Sequence, residues 1–452
     1  MSLFRGDLEP IFDPKNIEGK VREYWKSIDI KALIKGEVSK NKPVGYVEGP
    51  PTLNGEPHIG HIRGRIMKDV WYRFSTLKKM NVVYRAGWDT QGLPVELQAE
   101  KELGLTGSKA ENIKRVGEEA IVNACKNLIK RYYKSWERAD ELLGMLMDYE
   151  RAYWTYKDEY IEREWRYLQR AWERGLLAEG FRVVAYCPNC QTSLSHKEVG
   201  LGYETVEDPS LYYKAKLVDE DAFLLVWTTM PFTVVTDEMV GVKPDAEYSY
   251  VNANAETWIV AKDRIDDIMK MLRMDDYRTV KTVKGADLEG KRYIHPLAKK
   301  HISALAKLAD DGKIHFVVAE EWVDITTGTG LVHLSPANGE EDYQVALRKN
   351  IPIFCPIDDQ AKFTKEAGNF AGLFVRDADS KVAEMLEEEG MVLKYSTIKH
   401  EYPLCWRSQH KLVWLARREY FYWVDRLGDL AVEAAQKVEY FYEPPKNRFI
   451  EI

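Results

Sequence analysis

Apolar residues recur at helical spacing along the first part of the chain, interrupted by short runs that read as strands. Between positions 10 and 30, Ile17, Val21, Tyr24 and Trp25 share one helical face, and Asp13-Pro14 opens it. A short apolar run at 44–47 leads into Gly49-Pro50-Pro51-Thr52-Leu53-Asn54-Gly55-Glu56-Pro57-His58-Ile59-Gly60-His61, and a helical pattern follows over 62–74. Two prolines and Gly55 forbid helix or central strand between them, so the chain turns in the open. Residues 82–86 read as a strand running into Gly87-Trp88-Asp89-Thr90-Gln91-Gly92-Leu93-Pro94-Val95-Glu96. Two long helices come next. Ile113, Val116, Ala120, Ala124, Leu128 and Tyr132 mark one stripe; Ile161, Trp165, Leu168 and Trp172 mark another that stops at Gly175. Both stripes are expected to be core faces.

The pattern changes from about 210 to about 399. Short β-like runs at 223–227, 248–251, 258–261, 315–318 and 331–334 are separated by turns such as Gly285-Ala286 and Gly328-Thr329-Gly330. Helical stretches at 265–274 and 378–389 are interspersed. This reads as a β-rich domain inserted into an α/β one. Beyond it, Val413-Trp414-Leu415-Ala416 and Tyr420-Phe421-Tyr422-Trp423-Val424 are expected to form a strand returning to the first domain.

A chain of 452 residues, 45% hydrophobic and 30% charged, has the size of two or three domains and the make-up of a soluble globular protein. Met1 to Asp7 lack a signal peptide's apolar core, and no run is long enough to span a membrane. Five cysteines, two of them in Cys187-Pro188-Asn189-Cys190, fit a reducing compartment and a metal site better than a disulfide framework. The cytoplasm is the expected compartment. A net charge of −7 leaves nucleic-acid binding open, because an acidic chain can still carry a local basic surface.

Candidate chemistry gathers at three places. His58 and His61 lie on one face of a helix's first turn, with Gly60 between them leaving room for close approach. The free N–H groups and positive dipole end there suit a nucleoside triphosphate, although a surface pair or a metal half-site would use the same residues. Asp89 sits in a Gly-bounded loop after a strand, where α/β sheets hold ligands. Cys187 and Cys190 form half of a metal knuckle, and Leu404-Cys405-Trp406-Arg407-Ser408, with His410 two residues beyond, offers further ligands. A Cys3His zinc site using His410 and a metal-free knuckle both fit these residues. Zinc with four protein ligands would be structural, because no coordination position stays open.

These motifs resemble those of one family. Residues 49–61 resemble the HIGH signature of class I aminoacyl-tRNA synthetases, including the preceding Pro-Pro and Asn-Gly. Residues 87–96 resemble the GWDTHGLPVE stretch of isoleucyl-tRNA synthetases, with Gln91 where that family more often has His. Trp227-Thr228-Thr229-Met230-Pro231-Phe232-Thr233 resembles the family's WTTTPWT, departing at Met230 and Phe232. Residues 328–343 resemble its editing-domain stretch GTGxVHxAPxxGxxDY, and Ser408 replaces the second cysteine of its CWRC. Valyl-type relatives differ at 87–89 and leucyl-type ones at 227–229, so the resemblance points to the isoleucyl type.

The resemblance implies an α/β fold: a Rossmann-type catalytic half with an inserted β-rich editing (CP1) domain. Residues 1–186 would be the catalytic part with connective helices, 187–209 a zinc-knuckle-like segment, 210–399 the editing domain and 400–452 the return segment. It further implies a monomer that joins isoleucine to ATP, supplied with Mg2+, and passes the acyl group to tRNA(Ile). His58 and His61 would contact ATP phosphates, while Pro50, Pro51, Gly60, Asp89 and Gln91 shape the substrate pocket. Asp89 would pair with the substrate's ammonium group. In the editing domain, Asp342 would anchor the ammonium of a misacylated residue. Thr228, Thr229 and Thr233 would line its acyl group and orient water, and His333 would narrow the pocket. No Lys-Met-Ser-Lys-Ser-like stretch and no Ile-Ser-Arg segment occurs, so the chain is expected to be the N-terminal portion of a longer enzyme, with little adenylation of its own. Two further readings are a non-catalytic fragment that holds tRNA or a partner chain, and a zinc-dependent hydrolase built on Cys187, Cys190 and nearby histidines.

Overall fold

The structure, a computed structural model, describes residues 13–440 and 442–451. The opening Met1 to Asp7 and the first residues of the helix expected over 10–30 lie outside the described residues. The chain divides into two compact units, Met1–Arg174 and Gly175–Ile452.

In the first unit Asp13 caps the helix Pro14–Ser27 by accepting the Lys15 N–H, with Pro14 at the first helical position, where no N–H is missed. A second helix, Ile30–Val38, follows. The run expected as one strand over 82–86 is two: Asn81–Val83 pairs in parallel with Pro43–Gly45, and Arg85–Trp88 pairs in parallel with Asp148–Trp154. The helix Ile59–Leu77 provides the crossover between Pro43–Gly45 and Asn81–Val83. It buries little apolar surface. Ile59, Ile66, Met67, Val70, Phe74 and Leu77 are all exposed, Leu77 to 81%. Its buried residues are Arg65, Asp69 and Ser75.

Arg65 is a buried cation of this unit, 3% exposed. Its Nε lies 3.3 Å from Asp140 and its Nη1 3.7 Å from Glu48, and both carboxylates are buried too. The guanidinium also lies 5.3 Å from the Trp88 and Trp136 rings.

Both expected helical stripes need correction. The first is split at Gly117 (φ +84) into Lys109–Val116 and Glu118–Leu143. Its buried residues are Ile121, Leu128, Ile129, Trp136 and Asp140, so only Leu128 of the expected face is in the core, while Val116 and Ala120 are exposed. Past the glycine break the helix starts anew, and its buried face is rotated from the one a continuous helix would have. The second, Asp158–Glu173, buries only Ala171, and Trp165, Leu168 and Trp172 are exposed. An amphipathic pattern shows that a helix can bury a face; it does not show that the neighbouring chain covers it.

The second unit is built on a seven-stranded sheet. Its order is Tyr277–Lys284, Glu247–Ala253, Glu256–Ala261, Phe223–Thr228, Tyr203–Leu217 and Tyr293–Ile294, and Val392–Pro403 also pairs with Tyr203–Leu217. That last antiparallel ribbon runs through positions 210 and 399 without a break. A smaller sheet holds Met239–Val242 between Phe316–Ala319 and Val332–Leu334. The strand expected to return to the part spanning 1–186, Val413–Tyr422, pairs antiparallel with Leu177–Cys187 at the end of that part, and both strands lie in the unit Gly175–Ile452. Gly328 (φ +57) passes so close to Trp227 that a Cβ there would lie 2.4 Å from the indole, which only glycine avoids.

Several carboxyl groups of this unit lie in its interior. Tyr293 donates to Asp237, the Phe354 N–H donates to Glu238, and the Phe232 N–H donates to Asp379. Burial pushes Asp237 well above the usual carboxylate range, Glu238 up to about 8 and Asp379 up to about 6. The folded chain therefore holds protons that the unfolded chain releases near pH 4.5, so stability is lost as pH rises toward 8. Each such group contributes about 1.4 kcal/mol per pH unit within its window. The buried imidazoles of His295, His315 and His333, held low by burial, act in the opposite sense up to about pH 6.5. Thermal midpoints measured from about pH 6.5 to pH 8 should therefore fall, and Glu238→Gln should flatten the decline. A parent curve rising across this range would contradict the assignment. In the first unit, Arg65→Met removes the cation beside the buried Asp140, while Glu48 keeps Lys68 at 2.6 Å. It should cost about 3–5 kcal/mol in urea unfolding, and a variant as stable as the parent would show the network to be dispensable.

Candidate functional site

The first candidate site is the start of the helix Ile59–Leu77. His58 is its N-cap, with extended backbone (φ −111°, ψ 172°). Its Nδ1 accepts the Gly60 N–H at 3.1 Å, and the His61 Nδ1 accepts the His58 N–H at 3.3 Å. The two imidazoles perform the reciprocal capping that Ser and Glu perform elsewhere. This fixes their chemistry. A ring nitrogen that accepts a backbone hydrogen carries none of its own, so each neutral ring bears its proton on Nε2 and is a single N–H donor. The rings stack with centroids 3.7 Å apart, and His61 lies 4.8 Å from the Trp136 ring. Burial, then His58 and Arg65, hold His61 below the ordinary imidazole value. A Cβ at Gly60 would come within 3.0 Å of the His58 ring, so the glycine is what lets the ring fold back over the turn.

Asp89 meets the same segment. Its N–H donates to the Pro51 carbonyl, the Leu53 N–H donates to its carbonyl, and the Thr52 hydroxyl donates to its carboxylate at 2.5 Å. Pro50, Pro51 and Asp89 are half-buried there, and the Gln91 side chain is exposed. Thr52 carried no sequence signal of its own, since its partner lies 37 residues away. The unit's large cavity, about 1000 Å³, is walled by Arg22, Trp25, Lys31, Arg138 and Tyr149, and its lining includes none of His58, His61 and Asp89.

The second candidate site is a cleft of about 350 Å³ in the second unit, lined by Thr228, Thr229, Met230, Thr233, His333 and Asp342 among others. Thr228 ends a strand, Thr233 lies in the 3-10 turn Pro231–Thr236, His333 lies in Val332–Leu334 and Asp342 in the first turn of Glu340–Lys349. The Thr233 hydroxyl donates to the Met230 carbonyl at 2.7 Å, so its oxygen accepts the His333 Nε2–H at 3.1 Å. His333 is thus a neutral Nε2–H tautomer, and burial pushes it down to about 4. The Thr228 oxygen accepts the Met230 N–H, leaving its own proton free to donate. Asp342 accepts the Ser335 N–H at 2.8 Å, and shielding by the cleft walls raises it to about 7. Beneath the cleft, Thr236, Ser335 and Asn338 bond to one another, and Asn338 donates to the Trp414 carbonyl. Ser335, Asn338, Trp322, Asp324 and Thr327 also line the cleft. Ser335 and Asn338 lie within the 328–343 motif without a sequence signal for their bonds, and Trp322, Asp324 and Thr327 belong to no motif.

The third is a cysteine cluster. The sulfurs of Cys187, Cys190 and Cys405 are buried and lie within 4.8 Å of one another. Zinc held at about 2.3 Å by tetrahedral thiolates spaces them about 3.8 Å apart, so the three fit a metal ion with a small closure. His410 does not join them. It is exposed, and its Nδ1 lies 2.8 Å from the Ser408 carbonyl. The group nearest the cluster from that loop is the Ser408 hydroxyl, 3.3 Å from the Cys187 sulfur.

No helix among the described residues is long and apolar enough to cross a membrane. Isoleucine–tRNA ligases are similar over almost all of this chain. That of Methanocaldococcus jannaschii is 35% identical over 98% of the chain and 43% of its own length. That of Pyrobaculum aerophilum is 38% identical over 98% and 45%, and that of Clostridium novyi 35% identical over 94% and 40%. The chain thus spans less than half the length of these relatives. The family described as tRNA synthetases class I (I, L, M and V) matches residues 20–452, and it is to this family that the chain belongs.

Proposed function

We propose that this chain is part of an isoleucine–tRNA ligase, and that its second unit hydrolyses the ester of tRNA(Ile) misacylated with valine. The reading rests on one observation: Thr228, Thr229, Thr233, His333 and Asp342, drawn from four separate elements, line a single cleft. The proposed partners are tRNA(Ile), isoleucine and ATP with its Mg2+, and the protein acts as a monomer in the cytoplasm.

The need for such a cleft follows from the size of the discrimination. One methylene in an apolar pocket is worth about 1–3 kcal/mol, too little for accurate acylation, and a second pocket that admits only the smaller residue supplies the rest. Asp342 ionises as it takes up the α-ammonium, which removes the carboxyl proton that burial retains in the empty cleft. The free Thr228 proton helps orient water for attack on the ester carbonyl. Water adds to that carbon, the bond to the ribose oxygen breaks, and the ribose oxygen takes up a proton, releasing valine and tRNA. His333, tied to Thr233, forms a fixed wall that excludes a larger side chain. In the first unit the Nε2–H groups of His58 and His61 serve as neutral donors to phosphate oxygens, and Asp89 receives the isoleucine ammonium. Zinc at Cys187, Cys190 and Cys405 would be structural, clipping the loop after Leu177–Cys187 to the one before Val413–Tyr422.

Offered both esters, the chain should deacylate Val-tRNA(Ile) at least about tenfold faster than Ile-tRNA(Ile). Asp342→Asn should lose on the order of 100-fold in that rate, the cost of an unpaired ammonium. The parent rate should climb through pH 7 as Asp342 ionises, more steeply than that of the variant. Equal hydrolysis of the two esters, or an unaffected variant, removes the assignment. ATP–pyrophosphate exchange by this chain should stay near background, because it carries no Lys-Met-Ser-Lys-Ser-like loop; robust exchange would contradict this.

A further inference from the structure

Two hairpin knuckles meet at the cysteine cluster, and their backbones match. In the first, Cys187 pairs with Thr192 across the hairpin, the Cys190 N–H points at the Cys187 sulfur at 3.4 Å, and Gln191 takes the left-handed conformation (φ +51). In the second, the Cys405 N–H donates to the His410 carbonyl, the Gln409 N–H donates to the Cys405 carbonyl, and Gln409 is left-handed (φ +59). The left-handed residue directly follows Cys190 in one knuckle and Ser408 in the other. Ser408 therefore holds the place in its hairpin that Cys190 holds in the first. Its hydroxyl also reaches the Cys187 sulfur. His410 lies on the far leg of its hairpin, opposite Cys405, with its ring turned to solvent and one nitrogen engaged by the Ser408 carbonyl.

We propose that the Ser408 hydroxyl, and not His410, is the fourth ligand of a site for zinc or another thiophilic divalent cation, and that this fourth position is exchangeable. Three thiols lose their protons to become ligands, and those protons pass to solvent on loading. A serine hydroxyl is neutral and a far weaker donor to zinc than a thiolate. The three sulfurs therefore carry the affinity, and the oxygen can give way to another neutral ligand without loss of the ion. A four-thiolate site offers no such position.

The test uses the whole reduced chain and cobalt(II) as a spectroscopic probe, with zinc affinity measured by chelator competition. The parent should take up a single ion with thiolate-to-metal charge transfer and the ligand-field bands of a tetrahedral centre. Added imidazole should shift the ligand-field bands while the charge-transfer absorption persists. Ser408→Cys should tighten zinc by at least about tenfold and abolish the response to imidazole. Ser408→Ala should shift the ligand-field bands, as water replaces the hydroxyl, while the charge-transfer band and the imidazole response persist; unshifted bands would overturn the assignment of Ser408. His410→Ala should match the parent in affinity and spectrum. Circular dichroism confirms that each variant is folded. The proposal is overturned if the folded parent shows no charge-transfer band, if His410→Ala weakens binding, or if Ser408→Cys leaves affinity and imidazole response unchanged.

Discussion

A guanidinium removed from water is tolerable only where its charge and its faces are both engaged, and the first unit is arranged around that requirement. Arg65 sits one helical turn beyond His61, reaches two buried carboxylates, and lies against two indoles. One of those indoles, Trp136, also packs on His61; the other, Trp88, immediately precedes Asp89. The turn that carries the two histidines and the loop that carries Asp89 are thus referred to the same charge. Isolated carboxylates would be costly at Glu48 and Asp140, and an isolated cation costly at Arg65. Their mutual dependence fixes positions that the short strands on either side are too small to fix alone.

The two candidate sites present opposite polarity. At the helix start, capping commits the acceptor nitrogens of His58 and His61 inward and leaves donors outward, so the site offers hydrogens to an anion. In the cleft, Thr233 consumes the His333 proton and the carboxyl of Asp342 remains to receive a cation. An imidazole of fixed tautomer serves both places, for different reasons. In one the tautomer is set by backbone N–H groups, in the other by the Thr233 hydroxyl.

The chain's sequence disclosed its motifs more readily than its packing. Every β run expected between 223 and 334 is present, because alternating and β-branched residues bounded by glycine mark a strand locally. The long ribbon of Tyr203–Leu217 with Val392–Pro403 went unseen, because its partners are nearly two hundred residues apart and its outer face is polar. The convergence of Thr228, Thr233, His333 and Asp342 could be anticipated from the family's pattern, but not the bond that sets the His333 tautomer, which depends on where the Met230 carbonyl points. His410 misled for a related reason. Imidazole is the better zinc ligand by chemistry, yet hairpin geometry turns it outward and turns a serine in. The stripe of Trp165, Leu168 and Trp172 fails as a core face because periodicity reports a helix's shape and says nothing of its neighbours.

The helix that presents His58 and His61 also bears an exposed hydrocarbon ridge from Ile59 to Leu77. Burying such a surface is favoured by its area and is indifferent to direction, so encounters between molecules become attractive whenever the ridge is reachable. Sulfate and moderate warming strengthen that attraction. That face therefore adds an attraction that the net charge of −7 opposes less once salt screens it.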